Sequence, residues 1–378
     1  MWRCLCSASV EMADTIRDAP APRGVLRRLA GVIIAIGAFV VMAGEVRDIV
    51  PAPPDAASVK WRAFEAHKDE WTGVFIGSSR VHWSVDPAVV DRVLGEHGIE
   101  SRSFNFGTPG STSLPDLGIL RRVLASEPAR LQWVVIDPEM VQVEIAEQNV
   151  DASQTVFWHD PATTWLALRL IERSHLERSE KLVLAWQHAR SAVRRFVSYG
   201  YAGEALRAAL AGKGVDGGRR KLLLGHARNG FISLDELMTL LGARRREAYA
   251  RERAELLEPE GRKKFLDAVE HLRRWRPEEN PNPDAALVTR ELVRACDRSG
   301  VRLVFLIGPS TNLRSEWLGL VGTDGFPELL RFNDPGRFPE LYEPPHMFDP
   351  RHLNEQGAAI YSEYLGGALA EALGTPEP

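Results

Sequence analysis

Cysteine is nearly missing: Cys4, Cys6 and Cys296 are the only three in 378 residues. That excludes a disulfide scaffold and a four-cysteine zinc site. A surplus of positive charge is missing as well. With 47 Lys and Arg against 51 Asp and Glu, the net charge is −4. A general nucleic-acid binder needs a strongly basic surface, so no nucleic acid is expected as a partner. No Gly-x-x-x-x-Gly-Lys phosphate loop occurs, and no repeat of fixed period. Gly225 to Glu236 imitates a calcium loop, but its first and third positions, Gly225 and Ala227, offer no side-chain oxygen. No metal or other cofactor is called for.

What is present is a core and a hydrophobic leader. The 44% apolar fraction suffices for a globular body of one large domain with an insertion, or of two domains. Leu29 to Gly44 is an uncharged apolar run of 16 residues, followed by Glu45, Arg47 and Asp48. As a helix it reaches about 24 Å, and Val25 and Leu26 lengthen it toward the roughly 30 Å of a hydrocarbon core. Arg17, Arg23, Arg27 and Arg28 precede it, which keeps the N-terminus inside and sends the rest of the chain out. The expected order is a cytoplasmic segment 1–24, a transmembrane signal anchor 25–44 and a linker 45–57 with the Pro-rich Val50 to Ala57. The bulk is then periplasmic or otherwise extracytoplasmic. A signal peptide cut after Val41-Met42-Ala43 competes with the anchor, and the length of the run favours the anchor. Starting at Met12 instead would delete Cys4 and Cys6. A lone Cys296 in the exported part avoids mispairing.

Short apolar strands are expected at Gly73 to Ile76, Ser101 to Phe106, Leu131 to Ile136 and Val301 to Ile307. Helices are expected at Pro87 to Leu94, Ser113 to Ala125, Leu287 to Cys296 and Glu355 to Leu373, with Asp86 capping the first and Gly300 closing the third. Wholly apolar strands alternating with helices describe a parallel sheet covered on both faces. The fold class is therefore α/β, a doubly wound, flavodoxin-like three-layer sheet built from 58–150 and 285–378. Between them, 151–284 shows only helical patterning and carries 24 Lys and Arg against 19 Asp and Glu. It reads as a large helical insertion whose charge clusters, such as Arg244-Arg245-Arg246, are solvated faces.

In such a sheet the loops at the carboxyl ends of the strands converge on one crevice. Gly77-Ser78-Ser79 follows the first strand and exposes a serine. Asn105-Phe106-Gly107-Thr108-Pro109-Gly110 follows the second, and a glycine there lets a backbone N–H reach a developing oxyanion. Near the C-terminus, Asp349 precedes His352 by three residues. It can take the Nδ1–H of the imidazole and leave Nε2 to accept a serine proton. Ser78, Arg80, His82, Asn105, Gly107 and Asp137 are further candidates for the pocket. His346 is a weaker base candidate, and His159-Asp160 reads as a turn before Pro161.

In this order the motifs resemble those of the SGNH (GDSL-type) hydrolase superfamily, over about two-thirds of the chain. The resemblance implies Ser79 as nucleophile, the N–H groups of Ser79 and Gly110 as oxyanion donors, and Asp349 and His352 as the remaining triad members. Two departures stand out. Ser78 replaces the usual acidic residue and becomes a rival nucleophile. The third strand ends Ile136-Asp137-Pro138-Glu139-Met140, without the asparagine that donates to the oxyanion. This variant pattern is similar to membrane-anchored relatives of the D-alanyl transfer protein of teichoic acid synthesis and of the alginate O-acetylation proteins. It implies an esterase or acyltransferase acting on an acylated cell-envelope polysaccharide or a small ester, with a membrane-bound acyltransferase as a candidate partner. A degenerate member that only binds polysaccharide or scaffolds an export complex is the competing expectation; a secreted lipase ranks below both, because no long apolar lid is evident.

Overall fold

A computed structural model of the chain describes residues 23–49, 56–145, 147, 150, 152–197, 217–276, 282–311 and 315–374. The first helix, α1 (Arg23–Ile49), contains the whole apolar run and continues five residues past its expected end at Gly44. Its side chains are described over 27–39, 41 and 42. Among the described residues no helix is long and apolar enough to cross a membrane. Of the expected segment 1–24 only residues 23 and 24 are described, and of the expected linker 45–57 residues 50–55 lie outside the described residues, while 45–49 form the end of α1 and 56–57 the start of the next helix.

The body begins with α2 (Ala56–Glu65) and β1 (Gly73–Ile76), followed by α3 (Ser79–Ser84) and α4 (Pro87–Glu96). Asp86 caps α4 by accepting from Ala88 N at 2.9 Å, and Pro87 opens it. Then come β2 (Ser103–Asn105), α5 (Ser113–Ala125) and β3 (Trp133–Ile136). The inserted helices are α6 (Ser153–Trp158), α7 (Pro161–Arg173), α8 (Arg178–Val197) and α9 (Gly217–Leu224), then α10 (Leu234–Leu240), α11 (Ala243–Leu257) and α12 (Pro259–Arg274). The chain returns to the sheet through α13 (Pro283–Ser299), which ends at Gly300 in the left-handed conformation, and β4 (Arg302–Ile307). A short α14 (Ser315–Leu318), an edge strand β5 (Glu328–Arg331), a small hairpin of β6 (Met347–Asp349) and β7 (His352–Leu353), and α15 (Glu355–Leu373) complete the fold.

The sheet is parallel throughout, in the order β2-β1-β3-β4-β5. The chain winds from β1 out to β2 and returns past it to β3, so its direction reverses between β1 and β3, the place where doubly wound sheets open a crevice. Both faces are dry over β1, β3 and β4, which is why those strands are apolar without alternation. Val74, Ile76, Val134 and Phe305 pack toward α2, α5 and α13, while Phe75, Val135, Val304 and Leu306 pack toward α4, α12 and α15. Each such side chain contributes about 1.5–3 kcal/mol by leaving water.

The inserted helices do not stand apart from this body. Trp158, Leu166 and Leu170 join the first apolar layer, and Leu256, Phe265 and Val269 join the second. Between them Ile232, Leu234 and Leu237 pack with Trp83 and Phe348, neighbours in sequence of two candidate site residues. The insertion therefore passes from one face of the sheet to the other across the end that carries the candidate loops.

Candidate active site

Ser79 reaches the crevice because β1 stops at a turn too tight for a side chain. A Cβ on Gly77 would stand 2.6 Å from Val81 Cγ2 and 3.1 Å from Asp137 Cβ. Ser78 caps α3 and Ser79 opens it, half-buried at the lip. The Ser79 hydroxyl lies 2.9 Å from His352 Nε2, across 273 positions of sequence. On the other side of the ring, His352 Nδ1 lies 2.8 Å from Asp349 Oδ2. Asp349 Oδ1 accepts from the backbone N–H groups of Arg351 at 2.7 Å and His352 at 3.1 Å. Burial pushes the Asp349 carboxyl up, but the hydrogen bond and charge of His352, with help from Arg351, outweigh it and hold the group below its ordinary value. An ionised Asp349 accepts the Nδ1–H, so this network assigns the tautomer with a bare Nε2, able to accept the Ser79 proton.

Asp349 and His352 pair across the antiparallel strands of the β6–β7 hairpin. Asn354, and not Asp349, caps the following helix. The edge of Trp83 meets the His352 ring at 4.9 Å between centroids and 80° between planes, bracing it from the side.

The triad opens onto a cleft of about 530 Å³ lined by Ser79, Trp83, Gly110, Glu139, Arg351 and, from the insertion, Tyr249. A larger cavity, about 650 Å³, lies between α2 and α9 and touches none of the three. The expected pocket residues divide. Ser78 and Arg80 line the cleft; His82, Asn105, Gly107 and Asp137 do not. They are buried behind it for a structural reason.

Asn105 is a clamp. Its Nδ2 donates to Val81 O and Val85 O at 2.7 Å each, and its Oδ1 accepts from Gly107 N at 2.8 Å. The Gly107 N–H is thus engaged, and Gly110, with φ of +77° and open space around it, is the glycine of this loop that faces the cleft. Beneath the loop lies Lys60 of α2, fully buried. Its Nζ meets Gly107 O at 2.6 Å, Asn105 O at 2.8 Å and His82 Nδ1 at 2.8 Å. Asn105 Oδ1 is a more distant fourth neighbour at 3.4 Å, and His82 Nδ1 accepts from Lys60 only with its imidazole neutral. Burial drives the Lys60 ammonium well below its usual value. Burial, then the Lys60 charge, does the same to the His82 imidazole.

The third loop carries acid where the resemblance led one to look for an amide. Glu139 accepts from the Arg80 guanidinium and from the Ser78 hydroxyl. Ser78 is therefore tied to a carboxylate, while Ser79 faces the imidazole. Asp137 lies just below, its carboxyl pushed well up by burial and then by the Glu139 charge. Asp116 is raised mainly by burial and accepts from Ser111 Oγ at 2.5 Å.

Of the histidines set aside earlier, His346 is buried against Glu340 O at 2.7 Å, outside the cleft. His159 meets His188 at 3.0 Å inside the insertion. The sequence reading missed Lys60, Glu139, Tyr249 and Arg351 as parts of the site or its support. Compared with known proteins, the chain matches no family model and no curated protein.

Proposed function

We propose that the protein is an exported serine esterase or acyltransferase of the SGNH type, acting on an ester-linked acyl group, acetyl above all, of a cell-envelope polysaccharide. The observation that carries this reading is the unbroken chain from Ser79 Oγ to His352 Nε2, at 2.9 Å, and from His352 Nδ1 to Asp349, at 2.8 Å.

In the proposed reaction His352 takes the Ser79 proton as Oγ bonds to the ester carbonyl carbon. The carbonyl oxygen gains the charge, and the N–H groups of Ser79 and Gly110 hold it. Collapse breaks the ester C–O bond, the proton on His352 goes to the departing alcohol, and acyl-Ser79 remains. Water attacking the acyl group, with His352 again as base, completes hydrolysis; a sugar hydroxyl completes transfer. The role of α1 as a membrane anchor, the extracytoplasmic location and a membrane-bound acyltransferase as partner belong to the same proposal.

A binding-only reading is favoured by one feature: the Glu139 carboxylate lines the cleft in the region where an oxyanion donor would serve. Losing one such donor costs about 10²–10³ in turnover, which slows a reaction without abolishing it. The test is covalent labelling by a fluorophosphonate probe. Labelling is expected in the wild type and absent in Ser79→Ala and His352→Ala. Labelling that survives both changes overturns the assignment, and a wild type that never labels favours the binding reading.

A further inference from the structure

Helix α8 has two unlike faces. His188 and Ser191 turn inward and are fully buried, whereas Leu182, Trp186 and Val193 recur on the opposite side and stay more than half exposed, Trp186 at 66%. Helix α7 packs on α8 and adds Trp165, 63% exposed. Helix α1 also packs on α8, yet leaves that row uncovered. Its own Ile33, Ile34 and Phe39 are exposed in turn, Ile34 at 71%. Soluble monomers rarely present contiguous apolar patches beyond a few hundred Å². The charged residues of α8 are Arg178, Lys181, Arg190, Arg194 and Arg195 against Glu180; Arg178 stands exposed next to the apolar row, whereas Lys181 donates to Glu172 O at 2.9 Å and Arg195 lies over the Phe157 ring at 6.0 Å. Tryptophan and leucine along one face, with cations on the remainder, is the composition of a helix that lies in the plane of a membrane interface.

We infer that α8, with α1 beside it, lies on an anionic phospholipid bilayer, with Leu182, Trp186 and Val193 turned toward the acyl chains and the exposed Arg178 at the edge of that row toward the headgroups. The α/β body, including the cleft, is then held at a fixed attitude above the lipid and does not swing on a tether. This rests on the membrane attachment proposed above, but not on α1 crossing the bilayer. A second copy of the chain is the rival occupant, since 182, 186, 189 and 193 fall at coiled-coil spacing.

The experiment uses the full chain with Cys4→Ser and Cys6→Ser, Cys296 being buried. A nitrobenzoxadiazole label is attached singly through Trp186→Cys, Val193→Cys, Ile34→Cys on α1, or Glu100→Cys, a solvent-facing control with 84% of its side chain exposed. Vesicles of phosphatidylcholine and phosphatidylglycerol carry a doxyl-labelled lipid. Labels at 186, 193 and 34 are expected to shift to the blue and to be quenched about twofold or more, and the label at 100 to do neither. Quenching at 34 with 186 and 193 still in water overturns the in-plane helix and leaves the attachment standing. Failure of the protein to float with the vesicles overturns both. Cross-linking between two copies at 186, without quenching, assigns the face to self-association and also overturns the inference.

Discussion

Gly107 and Gly110 stand three residues apart on one loop and respond in opposite ways to a methyl group. A Cβ on Gly107 would lie 2.3 Å from the backbone nitrogen of His82, which sits in a helix and cannot retreat. Gly107→Ala is expected to cost about 3 kcal/mol or more, since backbone must shift in a packed region. Gly110 has nothing within 4 Å of the same atom. Gly110→Ala there carries only the left-handed backbone penalty, about 1–2 kcal/mol. Chemical unfolding of the two variants checks the contrast, and equal losses would contradict the assignment of Gly107 to packing and Gly110 to the cleft. At this scale the sequence was informative where a residue type has few uses. Ser79, Asp349 and His352 are legible because a serine after a strand-end glycine and an Asp-x-x-His segment near the C-terminus each limit the geometry. Lys60 was not legible. A lysine on an amphipathic helix reads as a solvated charge, and nothing local signals that acceptors from α3, β2 and the loop after β2 wait for it.

Helix α2 is bolted to the loop after β2 through that one ammonium group. Lys60→Met keeps the length of the side chain and leaves the carbonyls of Asn105 and Gly107 without a donor in a fully buried place. Each orphaned carbonyl costs about 1–3 kcal/mol. The desolvation of the charge, no longer required, offsets part of this. The expected result is a lower midpoint of thermal unfolding and a looser Gly107–Gly110 loop, read as slower hydrolysis of p-nitrophenyl acetate; a variant as stable and as active as wild type would contradict the bolt. Element by element, the continuous apolar strands β1, β3 and β4 and the long capped helices were readable. The edge strand β5 was not, because Glu328-Leu329-Leu330-Arg331 is short and has polar ends. Nor was the β6–β7 hairpin: strands of three residues and two cannot declare a period.

Across the whole molecule, the insertion is the part whose meaning only folding reveals. Its helices are readable, but their packing against both faces of the sheet is long-range and leaves no periodic mark. Inside it, burial drives the His159 imidazole down to about 3, with a smaller push from His188, itself lowered by burial. Both are neutral in the fold, whereas in the unfolded chain they take protons near pH 6.5. The unfolded state therefore binds more protons as the medium acidifies. The contribution of His159 is complete above about pH 6.5 and is lost as pH falls toward about 3, by at most about 5 kcal/mol, and that of His188 is lost in the same direction. Thermal unfolding followed between about pH 7 and 4 should show this decline; a midpoint independent of pH would contradict the buried pair.

The most direct test of a Ser79-centred mechanism is to trap the acyl-enzyme. The full chain is mixed with p-nitrophenyl acetate, quenched in acid and digested, and the acetylated peptide is sequenced by mass spectrometry. A single acetyl group on the Ser79 hydroxyl, absent from His352→Ala, is the expected result. An acetyl group on Ser78, or acetylation of Ser79 that persists without His352, contradicts it.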